Sequence, residues 1–264
     1  MKIGFFGCGN MGGALCRAVH RGMPAATLLL ADLDEEKMAT LADETGAIPM
    51  KTEDMLLEAD YVFLGLKPQV LAPVLKILSG RIAASHATYI SMAAGVTLAT
   101  LSELLPGKPV IRIMPNTAVA VGAGMTVYTP SGEVTEKAKA DFSRMMSASG
   151  RCDEIYEPMM DAACALSGCG PAFAYLFAEA LADGAVACGL PRDRAMTYAA
   201  ATVEGAMRMI LETGAHPGAL KDAVCSPGGS TIAGVHALER GGLRAAAMDA
   251  VTAAFARTKE LGKS

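Results

Sequence analysis

The residues predict an α/β domain on a parallel sheet followed by an all-α domain, and three observations carry that prediction. Up to about residue 157, short apolar runs alternate with amphipathic segments. Beyond Glu157, helix-like segments jointed by Gly and Pro fill the remainder of the 264 residues. Between the first apolar run and the first amphipathic segment stands a glycine-rich hexapeptide, GCGNMG. Alternation of this kind places crossover helices on both faces of a sheet, so its strands are buried and read as continuous apolar runs.

Taken in order, KIGFF, TLLLA, YVFLGL, TYIS and VIRIM are the predicted strands, and residues 11–21, 35–45, 69–78 and 135–148 the predicted helices. Pro68 suits a first helical position, where a missing N–H removes no hydrogen bond. In the second half, helices are predicted over residues 161–166, 171–188, 192–213, 218–224, 231–240 and 243–261. Their joints, Gly189-Leu190-Pro191, Gly214 to Gly218 and Gly241-Gly242, are made of the residues that end helices. The domains so read are residues 1–157 and 158–264.

Composition narrows the function. Apolar residues make up 52 % and charged residues 19 %, with no Trp and a surplus of Ala, Gly and Met that suits a buried helical subunit interface. The net charge of −4 is spread without a basic run, which excludes a nucleic-acid footprint. Gly4, Gly7, Gly9 and Gly12 interrupt the apolar N-terminus, and no small-x-small cleavage pattern follows, so a signal peptide is not expected. The most apolar helix, residues 170–190, carries Glu179 and Asp183 mid-span, so burial in protein rather than in a membrane is expected. Seven cysteines without a CxxC pair fit neither a disulfide framework nor a metal site, and a reducing cytoplasm suits them.

GCGNMG has the GxGxxG form, follows a strand and opens a helix, the context of a Rossmann-type dinucleotide site. Gly7 makes the tight turn, Gly9 lets the backbone approach a pyrophosphate, and Gly12 lets helix and strand pack closely. Cys8, Asn10 and Met11 complete the loop, whose free N–H groups face the phosphates at the positive end of the helix. Asp32 ends the second strand, twenty residues beyond Gly12. Its carboxylate can accept from a ribose 2′-hydroxyl and repels a 2′-phosphate, which favours NADH over NADPH; the alternative is that it caps the following helix. Other strand ends supply further cofactor candidates: Leu66, Lys67 and Pro68 in GLKPQ, Ala93 and Gly95 after TYIS, and Asn116 in RIMPNT. Lys67 is equally readable as a solvated strand-end lysine. Arg112, among apolar neighbours, reads as structural.

GCGNMG, GLKPQ, RIMPN, DAACALSGCGPAF and above all KDAVCSPGGSTIAGVHALERGG resemble the signature segments of the pyrroline-5-carboxylate reductase family, in the family's order and over nearly the whole chain. The resemblance implies a Rossmann domain followed by an all-α dimerisation domain, with rings of dimers in several members. It implies hydride transfer from NAD(P)H to the ring imine of 1-pyrroline-5-carboxylate, giving L-proline. Carried over by position, Ser226, Gly228, Gly229, Ser230 and Thr231 are the substrate loop. The N–H groups of Gly229 and Ser230 would hold the substrate carboxylate, and the Thr231 hydroxyl would bond the ring nitrogen as the catalytic contact. Cys164, Cys169 and Phe173 stand where the family usually has Thr, Ser and Tyr, so no hydrogen-bonding role is carried over to them.

The residues support the same chemistry on their own terms. In PGGST the glycines bare the backbone, and a helix starting near Thr231 presents unpaired N–H groups to an anion. Simple N-capping by Ser230 or Thr231 is the competing reading. Reduction of an already electrophilic iminium needs little acid–base machinery. That agrees with a helical half whose His216 lies in a turn and whose His236 lies on the helix after the loop. The alternatives are a related imine or β-hydroxyacid reductase of the same two-domain plan, the latter of which would need a base, and a non-catalytic dinucleotide-sensing dimer, which would need no carboxylate clamp.

Overall fold

The apolar runs form one sheet because each strand offers apolar side chains to both of its faces. A computed structural model describes residues 1–261. Its eight strands are β1 (Lys2–Phe6), β2 (Thr27–Ala31), β3 (Ile48–Pro49), β4 (Tyr61–Leu64), β5 (Thr88–Ser91), β6 (Val110–Met114), β7 (Gly124–Pro130) and β8 (Gly150–Glu154). They lie in the order β3-β2-β1-β4-β5-β6-β7-β8. β1 to β6 are mutually parallel, as predicted. β7 departs from that expectation: it runs antiparallel to β6, and β8 then pairs parallel to β7.

Three strands lacked a sequence signal, each for a physical reason. β3 is two residues long. β7 turns straight back along β6 after a 3₁₀ turn, Thr117–Val121, rather than following a crossover helix. β8, GRCDE, is mostly exposed and polar, and only pairing with β7 defines it. Gly150 begins it at φ 122°, and an added Cβ would lie 2.2 Å from the Gly124 carbonyl oxygen, so conformation and space both call for glycine.

The helices of this part are α1 (Asn10–Gly22), α2 (Glu35–Thr45), α3 (Thr52–Glu58), α4 (Pro68–Ile77), α5 (Ser79–Ala84), α6 (Leu98–Leu104) and α7 (Glu136–Met145). The unpredicted α3, α5 and α6 span seven residues or fewer, too short to show a helical period. Strand alternation divides the core. Phe5, Leu28, Leu30 and Phe63 meet Leu15 and Val19 of α1 and Phe142 of α7 on one face. Leu29, Val62 and Leu64 meet Met55 of α3, Leu71 and Leu75 of α4 and Leu101 of α6 on the other.

After Glu157 the chain is helical: α8 (Met160–Ala163), a π-helical turn (Cys164–Gly168), α9 (Gly170–Ala187), α10 (Arg192–Thr213), α11 (Pro217–Ala223), α12 (Ser230–Arg240) and α13 (Leu243–Leu261). The chain forms two compact units: Met1–Cys169 with the stretch from Ala254, and Gly170–Ala253. In the second unit Ala182 of α9 packs with Ala195 and Ala199 of α10. Large apolar side chains, among them Leu176, Met207, Leu211, Leu238 and Met248, stay exposed. Within one protomer the apolar helix 170–190 is thus left largely uncovered, because apolarity demands a covering surface without saying which chain supplies it. Among the described residues, the helical stretch Glu157–Ala187 is long and apolar enough to cross a membrane by length and composition.

Candidate functional site

Parallel strands bring the ends of β1, β2, β4, β5 and β6 to one edge of the sheet, and every predicted cofactor residue lies there. The strand order reverses between β1 and β4, the place where open α/β sheets leave a ligand crevice. Gly65, after β4, donates its N–H to Phe6 O at 2.7 Å. Gly7 sits opposite at φ 103°, where a Cβ would lie 2.6 Å from Gly65 O. An added Cβ on Gly12 would lie 2.0 Å from Gly7 O, so α1 starts this close to β1 only with glycine at both positions.

Gly9 differs from both. A Cβ built on it meets nothing within 4 Å, leaving a cradle of free space before the N-terminus of α1. Gly9 is the N-cap of α1 and offers no side-chain cap, and the first turn holds no acidic residue. Among the described hydrogen bonds, none takes up the N–H of Gly9, Asn10 or Met11. Unsatisfied donors at the positive end of a 13-residue helix fit a pyrophosphate.

Asp32 lies partly buried beside this loop. Its carboxylate accepts from Cys8 N at 2.5 Å and from Asp34 N at 2.9 Å. The capping alternative is corrected here: the residue that caps α2 is Asp34, whose carboxylate accepts from Lys37 N at 3.1 Å. Asp32 instead ties the glycine loop to the end of β2. Burial, with the Asp32 charge adding to it, pushes the Cys8 thiol up to about 12, so Cys8 contributes its backbone rather than a thiolate.

Two cavities flank the loop. One of about 400 Å³ is lined by Gly9, Asn10, Arg17, Lys37 and Thr40. The other, about 260 Å³, is lined by Asp32 and by the apolar Leu33, Leu66, Val70 and Val74, a slot suited to a flat base. Sequence reasoning missed Arg17 and Lys37, since Arg17 lies a full helical turn beyond the motif. Both are already paired, Arg17 with Glu44 at 2.5 Å and Lys37 with Asp34 at 2.6 Å.

At the other strand ends, Lys67 is exposed and occupies the N-cap position of α4, with Pro68 at the first helical position as predicted. Ala93 is buried, and Gly95 turns the loop after β5 at φ 78°. The Asn116 side chain is engaged structurally: Nδ2 donates to Ser167 O at 2.9 Å, and Oδ1 accepts from Met125 N at 3.2 Å. Arg112 is structural as expected, 3 % exposed and paired through Nη1 with Glu157 Oε1 at 2.7 Å.

The predicted substrate loop belongs to the second unit and is exposed. Ser226 O accepts from Gly229 N at 3.0 Å, closing a turn around Gly228 at φ 66°. A Cβ on Gly229 would lie 2.3 Å from Ser226 Oγ and 3.2 Å from Ser226 O, so a larger residue there would have to turn the Ser226 hydroxyl aside. Gly229 is the N-cap of α12, without a side-chain cap. N-capping by Ser230 or Thr231 is therefore not realised, since they are the first two helical residues. Among the described hydrogen bonds none takes up the N–H of Ser230 or Thr231, whereas that of Gly229 is used in the turn. His216 caps α11, its Nδ1 accepting from Gly218 N at 3.0 Å, and His236 is exposed on α12.

A family model described as pyrroline-5-carboxylate reductase dimerisation matches residues 157–261, and one described as NADP oxidoreductase, coenzyme F420-dependent, matches residues 2–95. The chain is 40 % identical to a pyrroline-5-carboxylate reductase of Escherichia coli over 271 residues, covering 100 % of this chain and 99 % of that protein. The chain belongs to the pyrroline-5-carboxylate reductase family. A Methanosarcina acetivorans member of the family is 43 % identical over 99 % of this chain and 98 % of its own length. The solved Coxiella burnetii pyrroline-5-carboxylate reductase superposes with a TM-score of 0.90 at 32 % identity, covering 99 % of this chain and 98 % of that one. A Plasmodium falciparum pyrroline carboxylate reductase, solved with NADP bound, gives 0.88 at 29 % identity over the same shares.

Proposed function

We propose that this protein reduces 1-pyrroline-5-carboxylate to L-proline with a nicotinamide cofactor. The observation that carries the reading is the open cradle at Gly9, in a chain whose full length matches reductases of this name. Bound at this loop, a nicotinamide would provide the hydride for the imine carbon. The ring nitrogen keeps its proton as the C=N bond becomes a single bond, so no general base is required. The free N–H groups of α1 and the glycine loop would hold the pyrophosphate, and Asp32 would orient the adenosine ribose. On the substrate side, the uncapped start of α12 would bind the carboxylate through Ser230 N–H and Thr231 N–H, in place of the expected Gly229 N–H, which its turn bond to Ser226 O occupies. The Thr231 hydroxyl bonds the ring nitrogen.

NADH is the favoured cofactor. The Asp32 carboxylate disfavours a 2′-phosphate, and the two neighbouring cations, Arg17 and Lys37, are already neutralised by Glu44 and Asp34. Residues 158–264 join two protomers, which covers the apolar side chains exposed on the second unit. Seven free cysteines suit a cytoplasmic setting. The test is oxidation of NADH and of NADPH, followed by absorbance, with pyrroline-5-carboxylate as substrate. Substrate-dependent oxidation with NADH the better donor is expected; no oxidation of either overturns the assignment.

A further inference from the structure

We infer that Glu157 is a positioning residue for the cofactor loop Met92–Thr97, acting through the N-terminus of α6, and that buried Arg112 holds it there. The inference rests on the reductase reading and on Ala93 and Gly95 as the cofactor candidates at the end of β5. Little within the loop fixes its shape. Ala93 N reaches Ser91 Oγ at 3.5 Å, and Val96 N reaches Ala93 O at 3.3 Å, both long for hydrogen bonds. Its far end is held instead by two side chains acting on different donors of α6. Thr97 Oγ1 accepts from Thr100 N at 3.2 Å, and Glu157 Oε1 accepts from Leu98 N at 2.7 Å. The second bond is the short one, and a carboxylate at a helix N-terminus is the favoured charge.

Glu157 comes from 59 residues away, at the point where the chain leaves β8 for the helical half. The same oxygen receives Arg112 Nη1 at 2.7 Å from β6. Arg112 is almost wholly buried while Glu157 is 27 % exposed, bordering a cavity of about 490 Å³ that Gly95 and Thr97 also line. The pair is therefore not enclosed in the core. It stands at the rim, next to the loop that it fixes. Arg112 Nε has no hydrogen-bond partner, so Glu157 is what balances this buried guanidinium among the described residues. One carboxylate oxygen thus joins strand β6, helix α6 and the start of the helical half.

The variants are Glu157→Gln, which keeps the shape and loses the charge, and the pair Arg112→Met with Glu157→Leu, which removes both charges together and guards against a fold failure from an orphaned buried guanidinium. Arg112→Lys serves as the conservative rescue. Direct NADH binding by cofactor fluorescence needs no substrate and is read beside KM for NADH and KM for pyrroline-5-carboxylate. For Glu157→Gln and for the double variant, weakening of NADH binding by about tenfold is expected, with KM for pyrroline-5-carboxylate changed less than about twofold. Arg112→Lys should lie between these and the unaltered protein. A folded Glu157→Gln or double variant that binds NADH as the unaltered protein does, or one in which both KM values rise together, overturns the positioning role. Absence of turnover in the unaltered protein would overturn the reductase reading instead, and the fluorescence titration separates the two failures.

Discussion

Adding one methyl group at Gly9 tests whether GCGNMG is a cofactor cradle or only a tight turn. Gly9 has φ −66°, an ordinary value, and a Cβ there meets no protein atom within 4 Å. Gly9→Ala therefore costs the protein little beyond the weaker N-cap preference of alanine, about 1 kcal/mol or less. A bound pyrophosphate would meet the methyl group where it approaches the N–H groups of Gly9, Asn10 and Met11. Loss of one hydrogen bond to a charged group is worth about 1.5–3 kcal/mol, roughly ten- to a hundredfold in affinity. Gly12→Ala provides the contrast, because its Cβ would stand 2.0 Å from Gly7 O and force α1 away from β1 whether or not cofactor is present. Thermal melting without ligand, paired with an NADH fluorescence titration, separates the two effects. Gly9→Ala should melt close to the unaltered protein yet bind NADH at least tenfold more weakly, while Gly12→Ala should lose stability. A folded Gly9→Ala protein with unchanged NADH affinity would refute the cradle.

Asp32→Ser should raise the NADPH-to-NADH ratio of kcat/KM, and Asp32→Asn, which retains an acceptor for Cys8 N, should do so with less loss of overall affinity; an unchanged ratio in both removes Asp32 from cofactor choice. Thr231→Ala should lower kcat by roughly tenfold or more with NADH binding intact, and loss of NADH binding would instead assign the loop to the cofactor or to folding. Asp141, 1 % exposed, is pushed up by burial but held down to about 2 by hydrogen bonds from Lys137, Tyr61 and Arg144. Its contribution, on the order of 2 kcal/mol, is complete above the ordinary value of 3.8 and is lost as pH falls toward about 2. Urea midpoints should therefore fall more steeply over that acid range in the unaltered protein than in Asp141→Asn, and parallel slopes would show that Asp141 is not the group responsible.

Much of the fold is written locally. Five buried strands announce themselves as apolar runs, and the helices of ten residues or more by their period, because side-chain direction repeats every two or 3.6 residues along the chain itself. The glycine loop is equally local: the steric demand at Gly7 and Gly12 arises within one strand–turn–helix unit. Asp34 rather than Asp32 as the cap of α2 is a finer matter, decided by which carboxylate the turn aims at Lys37 N and which the sheet edge aims at Cys8 N.

What the sequence by itself determined is the succession of strands and helices, the cofactor-type turn and the loop that resembles a carboxylate clamp. Only the tertiary structure decided that polar, exposed GRCDE is a strand, that α9 leaves its apolar face uncovered, and that Glu157 joins Leu98 and Arg112 across 59 and 45 residues. The reason is range. Periodicity and steric exclusion act between neighbours and leave a pattern in the residues, whereas a hydrogen bond between distant segments depends on where the whole sheet carries its ends, and neither partner bears a mark of the other.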